Sequence, residues 1–223
     1  MTAPDPAPDL SGLTVSVLGG TGEQGRGLAR RFALAGLAVV LGSRDAGRAQ
    51  AAAADLPGDV SGADNAEAAR AGDVVVAVPW DGHKELLTAL AGDLAGKVVV
   101  DCVNPLGFDK QGAYALPVDE GSAAQQAQAV LPHSRVVAAF HHVSAVLLLD
   151  EQVDEVDTDV LVLGEDREAT DLVQALASVV PGMRGVYGGR LRNAHQVEAL
   201  TANLISVNRR YKAHAGLRVT DVS

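Results

Sequence analysis

Short continuous apolar runs alternate along this chain with longer stretches whose apolar residues recur every three or four positions. The runs at residues 15–18, 38–41, 73–78, 97–100, 135–139, 160–163 and 183–187 are rich in valine and leucine and have the length of strands buried on both faces. Helical spacing fills the gap between the first two runs and recurs over 45–56, 64–70, 81–90, 122–130, 167–179 and 191–214. Pro57-Gly58 breaks the second helix, Asp64 is placed to cap the third, and Pro79 ends the third strand. In the last helix Val197, Leu200, Leu204 and Val207 follow i, i+3, i+7, i+10 spacing, which predicts one buried stripe. The acid-rich segment 150–159 reads as a solvated loop or helix edge. Such alternation predicts a doubly wound α/β fold: a mainly parallel sheet, right-handed crossovers and helices on both faces. Residues 1–12 read as a disordered tail, 13–140 as the core domain, and 141–223 as a smaller C-terminal α/β extension.

The first strand runs into a glycine-rich turn, LGGTGEQGRG, that fits GxGxxG with Gly20, Gly22 and Gly25 in the glycine places. Gly20 is assigned the sharp turn off the strand, Gly22 the close approach of a pyrophosphate, and Gly25 the packing of helix on sheet. Thr21, Glu23 and Gln24 fill the places between them. The helix that follows directs its unpaired N–H groups and dipole at the phosphates. With a strand before, a helix after and a second strand ending about 20 residues on, the context that this motif requires is present. The core therefore reads as a Rossmann-like dinucleotide-binding domain.

The end of the second strand selects the dinucleotide. An NAD site usually places Asp or Glu there to accept from the ribose 2′-hydroxyl. This chain has Ser43 and Arg44, with Arg48 one helical turn on, a set suited to a phosphate monoester and hence to NADP(H). The competing reading makes Ser43 the cap of the next helix and leaves both arginines solvated. Asp45 follows at once, and its direction is open.

Ligands of such sheets bind beyond the carboxyl ends of the strands. Four segments end there: Gly20-Thr21, Val78-Pro79-Trp80, residues 101–106 with Asn104 and Pro105, and Phe140-His141-His142-Val143. They are expected to converge on one cleft. His141 and His142 satisfy backbone carbonyls after the strand in one reading; in the other, His141 and Asn104 give a carbonyl reductase its proton donor. Two adjacent histidines without carboxylate or cysteine partners make a poor metal site, so no metal is expected. Trp80 is equally consistent with packing, and Cys102 reads as a small buried residue rather than a nucleophile.

Composition adds three constraints. A net charge of −10 argues against nucleic acid as a partner. Nothing approaches 18 consecutive apolar residues, and the N-terminus has neither a basic segment nor an apolar one, so no membrane span or signal peptide is expected. A single cysteine excludes an internal disulfide and places the chain in a reducing cytoplasm. The charge is uneven: residues 183–218 hold seven basic side chains against one acid, Glu198, either as a solvated helix face or as an attractor of an anionic ligand.

Taken together, VSVLGGTGEQGRGLA, GSR, VPW, VNPL and AFHHVSA resemble the NADPH-dependent reductases of the 5-deazaflavin coenzyme F420, over most of the chain from about residue 13 to the C-terminal helix. The resemblance implies direct hydride transfer between C4 of a nicotinamide and C5 of the deazaflavin, with NADP(H) and F420 as cofactors and with no catalytic acid or base required. Carried over by motif, Gly20, Thr21, Gly22, Glu23, Gln24, Gly25, Ser43, Arg44 and Arg48 hold NADP, and Val78, Pro79 and Trp80 lie beside it. His141 and Val143 occupy places that line the deazaflavin pocket, with Asn104-Pro105 and Ser144 standing where some members are more apolar. The C-terminal part closes that pocket and contributes to a homodimer, and its basic cluster could steer the coenzyme's anionic tail. A small-carbonyl or hydroxy-acid dehydrogenase and a non-enzymatic NADP sensor are the alternatives.

Overall fold

The computed structural model describes residues 8–76 and 78–222. Most of the expected tail and Ala77 of the third strand lie outside the described residues. In chain order the strands are β1 (Thr14–Leu18), β2 (Ala38–Ser43), β3 (Val60–Asp64), β4 (Asp73–Val76), β5 (Val98–Asp101), β6 (Leu106–Asp109), β7 (Gly112–Ala115), β8 (Arg135–Ala138), β9 (Thr158–Gly164) and β10 (Met183–Gly189). The helices are α1 (Glu23–Leu34), α2 (Ala46–Ala54), α3 (Asn65–Ala71), α4 (His83–Leu90), α5 (Ala123–Val130), α6 (Ala145–Leu149), α7 (Arg167–Ser178) and α8 (Ala194–Tyr211).

Eight strands form one sheet in the order β10-β9-β8-β5-β4-β1-β2-β3. All neighbours are parallel except β8 and β9. The sheet reverses its strand order at β1, which has β2 on one side and β4 on the other. A crevice outside the carboxyl ends of those strands is where ligands of doubly wound sheets bind. Because β9 runs against β8, its first residues, Thr158 and Asp159, extend past the end of β8 on that same rim. The sheet is thus continuous from the strands up to β8 into β9 and β10 of the C-terminal extension.

Alternate strand residues feed two cores. Val15, Val17, Val98, Val100, Val160 and Val162 meet Leu28 and Phe32 of α1, Ala49 of α2 and Val173 of α7 on one face. Leu18, Val99, Val136, Ala138 and Leu163 meet Ala68 of α3, Leu87 of α4, Ala127 of α5 and Val197 of α8 on the other. Full burial of one such Leu, Val or Phe contributes roughly 1.5–3 kcal/mol, so these layers dominate over the helix caps. Those caps are nonetheless regular: Asp45, Asp64, Ser122 and Asp166 each accept a backbone N–H at the start of α2, α3, α5 and α7.

The structure departs from sequence expectation in four places. Strand β3 reads VSGAD, with one large apolar residue, and pairs as an edge by register with β2 alone. The β6–β7 hairpin lies in a stretch for which the pattern predicts no element, its turn fixed by Asp109 Oδ1 accepting from the N–H groups of Gln111 (2.7 Å) and Gly112 (3.2 Å). The stripe of α8 is buried only at its start: Val197 is 6% exposed, Leu200 and Leu204 are half-buried, and Val207 is 37% exposed. The acid-rich segment is not wholly solvated either. Asp159 is 0% exposed and accepts from Arg184 Nε (3.0 Å) and Nη2 (2.7 Å), Arg218 Nη1 (2.7 Å) and the Val219 N–H (2.6 Å). These partners hold its carboxyl well below the usual range, with Arg184 the largest cause.

Candidate active site at the carboxyl rim

The glycine turn divides its duties differently from expectation. The left-handed residue is Gly19, at φ +74°, so the sharp turn belongs to it and not to Gly20. Gly20 is required for space, since a Cβ there would lie 2.8 Å from both Leu41 Cδ2 and Val17 O. At Gly25 a Cβ would lie 2.9 Å from Gly19 O and from Gly20 Cα, which sets α1 backbone to backbone against the turn. Gly22 is exposed, and a Cβ on it would meet only Gly19 O, at 3.5 Å. Thr21 and Gln24 are half-buried beside it and Glu23 is exposed.

At the end of β2 the cap of α2 is Asp45, whose Oδ1 accepts from the Arg48 N–H at 3.1 Å. Asp45 is thereby turned onto the helix, and Ser43 is not the cap. Ser43 is 8% exposed, and its Oγ accepts from the Asp45 N–H at 3.3 Å. Arg44 and Arg48 are exposed, and neither guanidinium has a protein partner among the described residues. Two free cations and a hydroxyl therefore surround this strand end.

The segment after β8 is tied to three other elements. Phe140 is fully buried at φ +61°, a left-handed conformation that costs a bulky residue roughly 1–3 kcal/mol. It is held by an edge contact with Phe32 (centroids 5.9 Å apart, 77°) and by Gln24 Nε2, which donates to its carbonyl at 3.3 Å. The next carbonyl, of His141, accepts from Asn104 Nδ2 (2.8 Å) and from Thr201 Oγ1 on α8 (3.0 Å). The two histidines then differ. His142 Nε2 donates to the Asp159 carbonyl at 2.7 Å, the expected backbone role. His141 is 3% exposed, and among the described residues neither of its buried ring nitrogens has a hydrogen-bond partner, though the backbone of Cys102 and Val103 acts on the ring. Burial pushes its pKa down to about 4, so the ring is neutral at pH 7. Val143 is 6% exposed and belongs to the core.

Helix α6, which follows, is anchored on α1. A Cβ on Gly27 would lie 2.6 Å from Leu148 Cβ, so the two helices touch there. Arg31 is 3% exposed and donates to the carbonyls of Leu148 (2.9 Å), Leu147 (2.6 Å) and Asp150 (3.3 Å), closing the end of α6.

The second and third segments meet through buried polar groups. Val78 and Trp80 are half-buried and Pro79 is exposed. Trp80 lies 5.6 Å, centroid to centroid, from the ring of His83, which pairs with Asp101 at 2.6 Å. Pro105 is buried and Asn104 half-buried, with Asn104 Oδ1 a buried acceptor that has no partner among the described residues. Cys102 is buried beside Asp101, and burial drives its thiol pKa upward, which removes the thiolate. The last three expected segments are thus joined, Trp80 to Asp101 through His83 and Asn104 to His141 directly, while Gln24 of α1 ties the helix after the glycine turn to the Phe140 carbonyl.

Comparison with known proteins follows the same outline. A family model described as NADP oxidoreductase, coenzyme F420-dependent, matches residues 14–105. An F420-dependent NADP reductase of Methanothermobacter thermautotrophicus is 39% identical over 94% of this chain and 96% of its own. The chain belongs to the F420-dependent NADP oxidoreductases.

Another family member, the F420-dependent NADP reductase of Methanocaldococcus jannaschii, is 36% identical over 94% of this chain and 99% of its own. A solved Arthrobacter structure, provisionally assigned as an F420-dependent NADP reductase, superposes with a TM-score of 0.81 at 29% identity, covering 94% of this chain and 100% of the other. The pyrroline-5-carboxylate reductase of Coxiella burnetii shares the fold alone, with a TM-score of 0.61 at 14% identity over 88% of this chain and 66% of its own. The family motif covers the glycine turn and the ends of β2, β4 and β5, whereas the His141 segment and α8 lie outside the matched residues.

Several residues that shape this F420-dependent oxidoreductase rim escaped sequence reasoning. Gly27 and Arg31 stand on the apolar side of α1 beside Leu28 and Phe32, a misplaced charge being the available signal. Asp101 ends the buried run VVVD. His83 and Thr201 carry no local signal at all.

Proposed function

We propose that this protein moves a hydride directly between NADP(H) and coenzyme F420, with NADP preferred over NAD. The bound pair supplies the redox chemistry itself: C4 of the nicotinamide gives or takes the hydride, C5 of the deazaflavin is its counterpart, and reduction of F420 also takes up one proton. The observation that carries the NADP preference is the end of β2, where Arg44 and Arg48 are free and Asp45 is committed to a helix cap. Ser43, Arg44 and Arg48 hold the 2′-phosphate in this reading. Residues 20–25 hold the pyrophosphate, with Gly22 open to its approach and the N-terminus of α1 behind it. Val78, Pro79 and Trp80 flank the nicotinamide side, and Asn104 Oδ1 offers a buried acceptor of the kind an amide or ring N–H satisfies.

His141 and Val143 shape the deazaflavin side and exclude water. A histidine kept neutral down to a pH of about 4 is a poor proton donor at pH 7, which disfavours the carbonyl-reductase alternative. Residues 13–140 serve as the NADP-binding part and 141–223 as the part that closes on F420. Two copies associate in our reading through the exposed Val207 and Tyr211 of α8 and the exposed Phe108 and Tyr114 of the β6–β7 hairpin. We place the reaction in the cytoplasm, in keeping with one buried cysteine and no helix long and apolar enough to cross a membrane among the described residues. Of the basic cluster, Arg184 and Arg218 are taken up by Asp159 and Arg190 by Glu165, so attraction of the coenzyme's anionic tail falls to Arg192, Arg209, Arg210 and Lys212.

The test is the visible absorbance of oxidised F420 after addition of NADPH or NADH. Bleaching that is efficient with NADPH and slow with NADH is the expected result. NADPH binding without bleaching would leave a sensor, and turnover of small carbonyls in place of F420 would leave a dehydrogenase.

A further inference from the structure

Beneath the Trp80 and 101–105 segments lies a polar chain that these binding assignments leave unused. His83, the first residue of α4, and Asp101, the last of β5, are both 0% exposed. His83 Nε2 lies 2.6 Å from Asp101 Oδ2, and His83 Nδ1 lies 3.1 Å from Oε1 of Gln126 on α5. Gln126 Nε2 donates to Glu120 at 3.0 Å, and Glu120 pairs with Lys84 at the surface at 2.7 Å. Oxygen atoms at both ring nitrogens favour the imidazolium form of His83. Burial opposes that charge, but Asp101, Gln126 and Glu198 outweigh it and raise the pKa above its ordinary 6.5.

Stability accounts poorly for this pair. A cation in the first turn of a helix faces the positive end of the dipole, and a buried ion pair is often no more stable than apolar side chains of the same volume. Its contacts instead lead to the rim. Asp101 Oδ1 accepts the Val103 N–H at 2.9 Å, fixing the turn that presents Asn104 to the His141 carbonyl. The Trp80 ring leans on the His83 ring at 31°, and the Trp80 carbonyl accepts the His83 N–H at 3.1 Å.

We propose that the His83–Asp101 ion pair is a positioning device for hydride transfer, setting both the Trp80 ring and the Asn104 turn from beneath the site. It rests on the hydride-transfer reading above and acts through Trp80 and Asn104, without touching the reacting atoms. Two flat rings must meet at near-attack distance, where a misplacement of about 1 Å costs roughly 100-fold in rate. A pair that locks two walls of the pocket at once therefore acts on turnover more than on nucleotide affinity.

Trp80 is the single tryptophan of the chain, and imidazolium quenches indole fluorescence, so the pair reports on itself. The groups facing His83 are Asp101 from the end of β5, Gln126 from α5 and Glu198 from α8, with the Glu120–Lys84 pair behind Gln126. The test compares wild type with Asp101→Asn, His83→Gln and Gln126→Leu, the last of which keeps the ion pair and guards against an unfolded Asp101→Asn. Wild-type bleaching of F420 tests the reading itself, whereas the variants and the fluorescence test the pair. Expected are a kcat lowered about 10–100-fold in Asp101→Asn and His83→Gln with the Kd for NADPH within about 3-fold, and a smaller loss in Gln126→Leu. Wild-type Trp80 emission should fall as pH drops through a midpoint above 6.5, shift to lower pH in Asp101→Asn and Gln126→Leu, and stay flat in His83→Gln. Folded variants that keep wild-type kcat, or wild-type emission that is flat from about pH 5 to 9, overturn the proposal.

Discussion

Replacing Arg44 and Arg48 by alanine removes two guanidinium groups that the folded protein does not use for itself. Neither has a partner among the described residues, and Arg48, in the first turn of α2, sits where the helix dipole disfavours a cation by roughly 0.3–1 kcal/mol. Stability should therefore hold or rise slightly in Arg48→Ala. A hydrogen bond to a charged group contributes roughly 1.5–3 kcal/mol. Both side chains are exposed, so solvent and salt reduce this to about 1–2 kcal/mol each, or about 5–30-fold in affinity. KM for NADPH should rise by that factor in each single variant and roughly multiplicatively in the double variant. KM for NADH, which has no 2′-phosphate, should stay put. Steady-state bleaching of F420 with each nucleotide, at low salt and at about 0.5 M, separates the terms: the wild-type advantage for NADPH should shrink at high salt, and the double variant should show little further change. Equal losses for NADPH and NADH would refute the reasoning, because the arginines would then act on a part common to both.

Three further outcomes follow from the geometry. Gly25→Ala drives a methyl to 2.9 Å from the glycine-turn backbone, and overpacking of that kind costs about 1–3 kcal/mol; thermal melting should show a drop of roughly 2–12 °C, together with loss of NADPH binding. Glu198 accepts from the Ala123 and Ala124 N–H groups in a buried site that raises its pKa from 4.5 to about 7, with burial the main cause. A carboxyl with a raised folded pKa contributes stability below its unfolded value and loses it as pH climbs through 7, so melting temperature should decline between about pH 5 and 8 with a smaller slope in Glu198→Gln. An unchanged slope in the variant would place that titration elsewhere. His141→Ala, read by kcat with F420 and by melting, should retain turnover within about 10-fold, since a neutral buried ring contributes shape; an abolished rate in a folded variant would make it a proton-transfer group after all.

What the sequence disclosed was governed by distance along the chain. The glycine turn, the cap at Asp64 and the apolar runs depend on neighbours a few residues away, and they stand close to where the pattern put them. Even there, which glycine turns and which packs required the facing Leu41, 21 positions beyond Gly20. Strand β3 has too little apolar character to declare itself, and it exists because β2 offers an edge. Asp159 looked like one solvated acid among many until Arg184 and Arg218 arrived from 25 and 59 residues away. The same holds at the rim: Asn104 and His141 were named as candidates, but their connection, shared with Thr201 across 60 residues, is a property of the fold.

The strand order β10-β9-β8-β5-β4-β1-β2-β3 carries a consequence for how the chain is made. Each strand, as it emerges during synthesis, adds to an outer edge of those already formed: β2 and β3 on one side of β1, then β4, β5, β8, β9 and β10 on the other. No strand has to be threaded between two partners that have already paired. The crevice between β1 and β4, proposed above for the nucleotide, can close once about the first third of the polypeptide has left the ribosome, and the strands leading to the proposed deazaflavin side are added outward from it. Assembly from the N-terminus onward thus builds the two parts of the proposed site in succession, and a ribosome-bound chain ending after β5 already has the strands on both sides of the β1–β4 crevice.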